Sequence, residues 1–491
     1  MSAPALMVFG TASDCGKSTL VAALCRAFAR EGVSVAPFKA QNMARNAFVC
    51  QDGGEIGVAQ AVQAAAARVR PEVDHNPILL KPEPDLRSQL IVHGKSQGSV
   101  PYRELIARRS LVMSAVETSL GRLRERHQLV ILEGAGSPAE VNLQAHDVPN
   151  LAAARCADAE ILLVADIDRG GVFAALLGTL QLLPDDLRRR VRGLVINKFR
   201  GDVSLLAPGI RFLEQQSGVP VLGVIPYLPD LQLPDEDSLA LSRYRNRPRA
   251  GLDELEIAVV DTPCLANFED VLPLAGEAGV HLRLTAAPRE LLEADLVVLP
   301  GSKSTVHDLS ALRALGIDRA LLERAARELP IIGICGGAQL LGQRIEDPAG
   351  IESDQPLVAA LGLLPHSTRY AQPKVTERRS GAFRALGPSA RVEGFELHHG
   401  RMFDAQHPAL QLDDGTPEGS TRGSIIASML HRLFDQASAR SALLDWLRGL
   451  RGLPVPTESS PSASDPFERL ADHVQSALDW PRLRQIALVA G

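Results

Sequence analysis

Gly10-Thr11-Ala12-Ser13-Asp14-Cys15-Gly16-Lys17-Ser18-Thr19 decides the fold of the first half of the chain. An apolar run at 6–9 precedes it, and a helical pattern at 18–30 follows. A strand that turns through glycines into a helix presents backbone N–H groups and a helix N-terminus to phosphate oxygens. Thr11, Gly16, Lys17, Ser18 and Thr19 are therefore expected to hold a nucleotide, with the Ser18 hydroxyl on Mg²⁺. The spacing has one residue more between the glycines than the standard phosphate-binding loop. Only seven of the 52 Lys+Arg are Lys, so generic surface charge is carried by Arg, and a Lys inside a motif is there for its compact ammonium.

Outward from this loop, apolar runs at 33–38, 129–132, 160–165, 194–196 and 221–225 alternate with helical stretches at 56–70 and 103–124. That alternation predicts a doubly wound parallel sheet. Ligands of such sheets lie at the carboxyl ends of the strands. Lys39 ends the second strand, and Glu133 ends another, just before Gly134-Ala135-Gly136. A carboxylate in that place suits Mg²⁺, which takes few carboxylates and keeps waters. Asp52 and Glu55 stand near a helix start, where acids also occur for dipole reasons; Glu55 is carried forward as a metal ligand. Asn197 follows the strand at 194–196, where its amide can read an adenine edge or form a turn.

Residues 229–253 turn polar and proline-containing, which predicts a linker at 231–254 between an ATP-binding domain at 1–230 and a second α/β domain at 255–450. Strands are expected at 257–260, 281–284, 296–299 and 331–334, then short strands and turns over 357–430 and a helix near 436–450. A Pro/Ser-rich loop at 454–466 and a closing helix at 467–478 form a C-terminal extension, 451–491. In the second domain, Ile331-Ile332-Gly333-Ile334-Cys335-Gly336-Gly337-Ala338-Gln339 runs a buried strand into a glycine-flanked cysteine and a helix. The small neighbours permit a sharp turn, the helix N-terminus lowers the thiol pKa, and the Gly336 N–H can stabilise an oxyanion. Gly301 and Ser302, after the strand at 296–299, offer further donors. A cysteine nucleophile needs a base, and His398, His399 and His431 lie downstream; residue chemistry alone does not choose among them.

Bulk properties narrow the function classes. With 491 residues, two or three domains are expected. A net charge of −6 leaves no basic footprint for nucleic acid. No apolar run reaches membrane-spanning length, and the N-terminus has no basic region or cleavage site, so a cytoplasmic enzyme is expected. The six cysteines form no C-x-x-C pair, which argues against a zinc knuckle or a disulfide framework.

Longer strings carry a family resemblance over nearly the whole chain. They are Lys39-Ala40-Gln41-Asn42-Met43, the stretch from Asp74-His75-Asn76-Pro77 to Lys81-Pro82, and that from Glu133-Gly134-Ala135-Gly136 to Val141-Asn142-Leu143. Asp166-Ile167-Asp168-Arg169-Gly170-Gly171 and Asn197-Lys198-Phe199-Arg200-Gly201-Asp202 extend the match. Together with Leu299-Pro300-Gly301-Ser302-Lys303 and the Cys335 elbow, the chain resembles the glutamine-hydrolysing adenosylcobyric acid synthases. The resemblance implies a dethiobiotin-synthetase-like ATPase joined to a class I, flavodoxin-like glutamine amidotransferase domain. It makes Cys335 the nucleophile and His431 its base, and it places Gln41, Asn42, His75, Asn76 and His398 in the substrate region. The setting of His431, Ala427-Ser428-Met429-Leu430-His431-Arg432, departs from the family's usual Gly-Thr-Tyr-Leu-His-Gly. The Glu that other class I members place two residues after the His is Leu433 here, leaving Asp435 as a weak candidate to orient the imidazole. ATP, Mg²⁺, glutamine and a corrinoid are the implied small molecules, with no tightly bound prosthetic group and a homo-oligomer possible. Competing readings are an a,c-diamide synthase or other glutamine-dependent ligase, and a ParA/MinD-like switch ATPase.

Overall fold

The computed structural model describes residues 2–83, 86–229, 241–245, 247–248, 251, 253–454 and 465–488. Most of the expected linker and nearly all of the Pro/Ser-rich loop lie outside the described residues. The chain forms two compact units. The first comprises Met1–Ala44, Gly54–Pro234 and Ala463–Gly491, and the second Arg45–Gly53 and Asp235–Ser462. Two pieces thus fall on the other side of the boundaries expected from sequence: residues 45–53 belong with the second unit, and the C-terminal helices with the first.

The first unit is built on a six-stranded sheet in the order Val221–Pro226, Val191–Phe199, Glu160–Asp166, Ala5–Gly10, Leu129–Glu133, Val35–Phe38. Every pairing in it is parallel. Strands Ala5–Gly10, Leu129–Glu133 and Glu160–Asp166 are buried almost throughout, and Val191–Phe199 through its middle, as expected for strands covered on both faces. Helix Lys17–Arg30 packs its Leu20, Leu24 and Phe28 against one face. Helix Arg109–Arg126 contributes Val112, Val116, Leu120 and Leu123 to the core on the other. The expected 103–124 helix is broken at Arg108 into two. A smaller sheet of Gln41–Met43, Ile78–Glu83, Arg87–Val92 and Lys95–Pro101 was not foreseen; its polar-rich last strand lacks the apolar alternation that flags a strand. The C-terminal segment is two helices, Pro466–Ala477 and Trp480–Leu488, rather than one. They cover helix Lys17–Arg30, with Trp480 tilted against Phe28 at 4.9 Å and Glu468 pairing with Arg26, Arg30 and Arg68.

The second unit has its own sheet, in the order Val280–Thr285, Leu255–Val260, Leu296–Leu299, Ile331–Ile334, Ile425–Ser428, Ser420–Arg422. It is parallel except for the last pair. The region expected to hold only short strands contains a long antiparallel hairpin, Ser367–Phe383 with Arg391–Phe403. Its charged, Pro- and Gly-interrupted sequence hides its length. Among the described residues no helix is long and apolar enough to cross a membrane.

Candidate active sites

In the first unit the carboxyl ends of adjacent strands gather the predicted residues. The strand Ala5–Gly10 delivers the loop 11–16, where Asp14 and Gly16 take left-handed backbone at φ 56° and 96°. A Cβ on Gly16 would come within 2.1 Å of the Asn197 amide, so the close approach as well as the φ requires glycine. Lys17 Nζ donates to the Ala12 carbonyl at 2.8 Å and to the Gly136 carbonyl at 2.9 Å. Its ammonium is thereby curled into the loop that it would share with phosphates.

Glu133 is the hub beside it, 1% exposed. Its Oε1 accepts from Ser18 Oγ at 2.7 Å and from Lys39 Nζ at 2.8 Å, and its Oε2 accepts from Gln63 Nε2. Burial works to raise its pKa, but the Lys39 charge and these hydrogen bonds outweigh it and hold the carboxyl below its ordinary value. A hydroxyl and an ionised carboxylate in contact form a hard oxygen pair of the kind Mg²⁺ takes. Among the described residues no three His, Cys, Asp or Glu side chains converge as a protein-only metal site. An ion held by one carboxylate, one hydroxyl and phosphates needs none. The buried Glu55 carboxylate accepts from Lys81 Nζ at 2.6 Å.

Asn197 donates to the Cys15 carbonyl at 2.9 Å, so its amide fixes the phosphate loop. His75 and Asn76 are fully buried. Asn76 donates to the Lys39 and Ile78 carbonyls at 3.0 and 2.9 Å and accepts from Gly57 N at 3.0 Å. Burial, together with the nearby His127 and Arg126, pushes the His75 pKa down to about 3. Asn76 thus ties together the backbone around Lys39, whose N–H donates to the His75 carbonyl at 2.9 Å, while the His75 ring accepts from Glu72 N at 3.2 Å. Asn42 is also buried, bonded to Gln60 at 3.0 Å, whereas Gln41 is half-buried and Met43 exposed. Sequence reasoning missed Asn150. Its Oδ1 accepts from Ala135 N at 3.0 Å and its Nδ2 donates to the Ala135 carbonyl at 2.8 Å, so it clamps the loop after Glu133.

In the second unit, Cys335 follows the strand Ile331–Ile334 directly. That strand pairs with Ile425–Ser428, which leads into His431. Two neighbouring parallel strands thus bring thiol and imidazole together at one end of the sheet. Cys335 has φ 51° and ψ −105°, strained for a side chain with a Cβ. A Cβ at Gly336 would lie 2.7 Å from Ser302 N, and one at Gly337 would lie 2.1 Å from the Leu299 carbonyl oxygen. The cysteine can be turned outward only because its neighbours have no side chains, and the same close packing sets the Ser302 N–H beside Gly336. Gly301–Ser302 is itself held by antiparallel pairing with Leu265–Ala266.

The group that orients His431 is Asp270, not Asp435. Asp270 Oδ2 lies 2.7 Å from His431 Nδ1, and its Oδ1 accepts from Arg432 N at 2.8 Å. Burial opposes a charge on His431, but Asp270 and the Cys335 sulfur outweigh it and lift its pKa to about 10. With Nδ1 committed to Asp270, Nε2 is left to serve the thiol. Asp270 sits in the turn Phe268–Asp270, about 160 residues before the histidine, where no sequence spacing could have linked them. Behind the histidine, Glu418 accepts from Met429 N at 2.6 Å and Ser428 Oγ at 2.8 Å, bracing the turn. His398 lies close enough to feel His431, but burial first and then Arg401 push its pKa down to about 3. A ring of such low proton affinity is a poor base for Cys335, whereas His431 is hydrogen-bonded to that thiol.

A phosphate loop with a buried carboxylate on one sheet, and a Cys–His–Asp triad on another, define a nucleotide-dependent ligase that draws nitrogen from glutamine. Residues 6–240 match the CobQ/CobB/MinD/ParA nucleotide binding domain, and residues 256–439 the CobB/CobQ-like glutamine amidotransferase domain. The chain is 48% identical to the cobyric acid synthase of Sorangium cellulosum (strain So ce56), covering 99% of both chains. It is 46% identical to that of Moorella thermoacetica (strain ATCC 39073 / JCM 9320), over 92% of this chain and 90% of the relative. The match to that of Desulfitobacterium hafniense (strain DSM 10664 / DCB-2) is 42%, over 98% of both. The chain belongs to the cobyric acid synthase family, glutamine-hydrolysing amide ligases of cobalamin biosynthesis that use ATP and glutamine.

Proposed function

We propose that this enzyme amidates the b, d, e and g carboxylates of adenosylcobyrinic acid a,c-diamide, giving adenosylcobyric acid. The observation that carries the nitrogen half is the alignment of Cys335, His431 and Asp270 at one end of a parallel sheet. Cys335 Sγ attacks the side-chain carbonyl of glutamine, and the oxyanion is met by the N–H groups of Gly336 and the Gly301–Ser302 segment. His431 takes the thiol proton and returns it to the departing nitrogen, so the C–N bond breaks and ammonia leaves. Water then cleaves the thioester to glutamate and frees the thiol.

In the first unit, ATP lies along residues 10–19. A corrinoid carboxylate attacks the γ-phosphorus, ADP departs, and an acyl phosphate results. Lys17 and Lys39 offset charge as it moves to the leaving group. Mg²⁺, held by Ser18 and Glu133, would supply further charge neutralisation on the phosphates. Ammonia displaces phosphate to give the amide, passing to the acyl phosphate before solvent protonates it, because ammonium is not a nucleophile.

Mass spectrometry of the corrinoid after incubation with ATP, Mg²⁺ and amide-¹⁵N glutamine tests this. Four labelled amides on the a,c-diamide substrate are expected. Amidation only of the a and c positions of cobyrinic acid would make it a diamide synthase instead.

A further inference from the structure

Residues 45–53 are enclosed in sequence by the first unit, with Ala44 before and Gly54 after, yet they form part of the second unit. Within that unit they pack around Asn267. Asn46 Oδ1 accepts from Asn267 N at 2.8 Å, Ala47 N donates to Asn267 Oδ1 at 3.1 Å, and Asn46 Nδ2 donates to Glu269 Oε1 at 2.6 Å. Asn267 is buried, with left-handed backbone at φ 56°, a conformation that asparagine accepts more readily than most residues. Because its oxygen is taken by Ala47 N, its NH₂ is turned the other way, to 3.2 Å from His431 Nδ1.

That contact has a chemical consequence. A primary amide NH₂ only donates, so it favours a bare Nδ1, whereas Asp270 at the same nitrogen favours Nδ1–H. The two neighbours pull the histidine's proton affinity in opposite directions. We propose that Asn267, oriented by Asn46 and Ala47, is a positioning residue for His431: it fixes the plane of the ring and moderates its basicity, making the segment Arg45–Gly53 a working part of the glutaminase. This rests on Cys335 and His431 being the glutaminase pair. The titratable and charged groups around the ring are Asp270, Cys335, His398 and the adjoining Arg432.

The test uses the full chain and follows glutamate release from glutamine across about pH 6 to 11.5, wide enough to hold a limb displaced upward from about 10. Asn267→Gly removes the amide without penalising the left-handed backbone, and Asn46→Ala releases the amide's orientation from a distance. In Asn267→Gly, kcat is expected to fall about tenfold with KM for glutamine within about twofold, the signature of a misplaced catalytic group. The basic limb of its kcat/KM profile should move to higher pH by roughly half to one unit, since a donor facing Nδ1 is gone. Asn46→Ala should shift the limb in the same direction by less. Basic limbs that stay at the wild-type pH, with or without a loss of rate or thermal stability, would overturn the inference and leave the segment with packing alone. A Cys335→Ala control separates the two levels: should it still hydrolyse glutamine, it is the nucleophile assignment that fails.

Discussion

His431 Nδ1 and Asp270 Oδ2 are 2.7 Å apart, and both side chains are buried. A carboxylate so placed fixes which nitrogen carries the proton and stabilises the imidazolium that forms when the thiol is deprotonated. In the proposed glutaminase it would do for Cys335 what the aspartate of a serine-protease triad does for its serine. Asp270→Asn keeps the shape and removes the charge. Glutamine hydrolysis should fall at least ~10²-fold, by analogy with the larger loss seen when a triad aspartate is so changed. Amidation driven by ammonium salt should persist, because it bypasses the thiol. Glutamate release near the wild-type rate would remove Asp270 from the triad.

The same pair predicts a pH dependence of stability. Against the opposing effect of burial, Asp270 and Cys335 lift the folded pKa of His431 to about 10, above the ordinary 6.5 of an exposed histidine. A group raised in this way contributes stability that is fully present below about 6.5 and is lost as pH rises through about 10. Asp270→Asn removes the main source of the raised value. The gap in thermal midpoint between wild type and Asp270→Asn should therefore be widest near pH 6 and close progressively toward pH 10. Differential scanning fluorimetry across that range checks it, and a gap that widens with pH contradicts the sign.

Much of this was legible in the chain, because it was local. The phosphate loop and the cysteine elbow are each a strand, glycines and a helix written in one stretch, and residue types alone place them. Lys39 and Glu133 could be put at strand ends since each closes an apolar run, and their mutual contact then follows from strands lying side by side. What escaped was set by distant pairing. Asp270 reaches His431 from the turn Phe268–Asp270, and Asn150 reaches Ala135 from the short helix Val148–Ala152, and nothing in either stretch names its partner. Glu55 was expected at a metal ion; its pairing with Lys81, on a strand 26 residues later, is nothing that an acid near a helix start reveals. His75 and Asn76 carried a family motif, and the bonds that Asn76 makes to the Lys39 and Ile78 carbonyls were not readable from it.

Close packing around the elbow gives a third prediction. In Gly337→Ala the new methyl would sit 2.1 Å from the Leu299 carbonyl oxygen, a backbone atom in a central strand that cannot rotate aside. Relief requires the helix Gly336–Leu341 to move off the sheet, which displaces the oxyanion donors as well. Overpacking of this kind costs typically 1–3 kcal/mol, occasionally more, and should cut glutamine hydrolysis far more than ammonium-driven amidation. Gly449→Ala, whose methyl meets nothing within 4 Å, is the matched control and should behave as wild type in both assays.

The Lys39–Glu133 pair gives the fourth. Both partners are buried, and Glu133 has a second charge-stabilising bond from Ser18. Removing one member of a buried ion pair strands the other, at a cost of about 3–5 kcal/mol, whereas removing both charges together is close to neutral. Lys39→Met alone should therefore destabilise the protein strongly, and adding Glu133→Gln should restore most of the loss, so that in chemical denaturation the double variant is far more stable than the sum of the two single losses predicts. The doubly substituted protein should fold yet make no amide from ATP and ammonium, because the carboxylate proposed for Mg²⁺ and the ammonium proposed for the phosphates are both gone. Additive losses in the single and double variants would mean that the pair is not coupled. Amide formation by the refolded double variant would mean that neither residue serves the nucleotide chemistry.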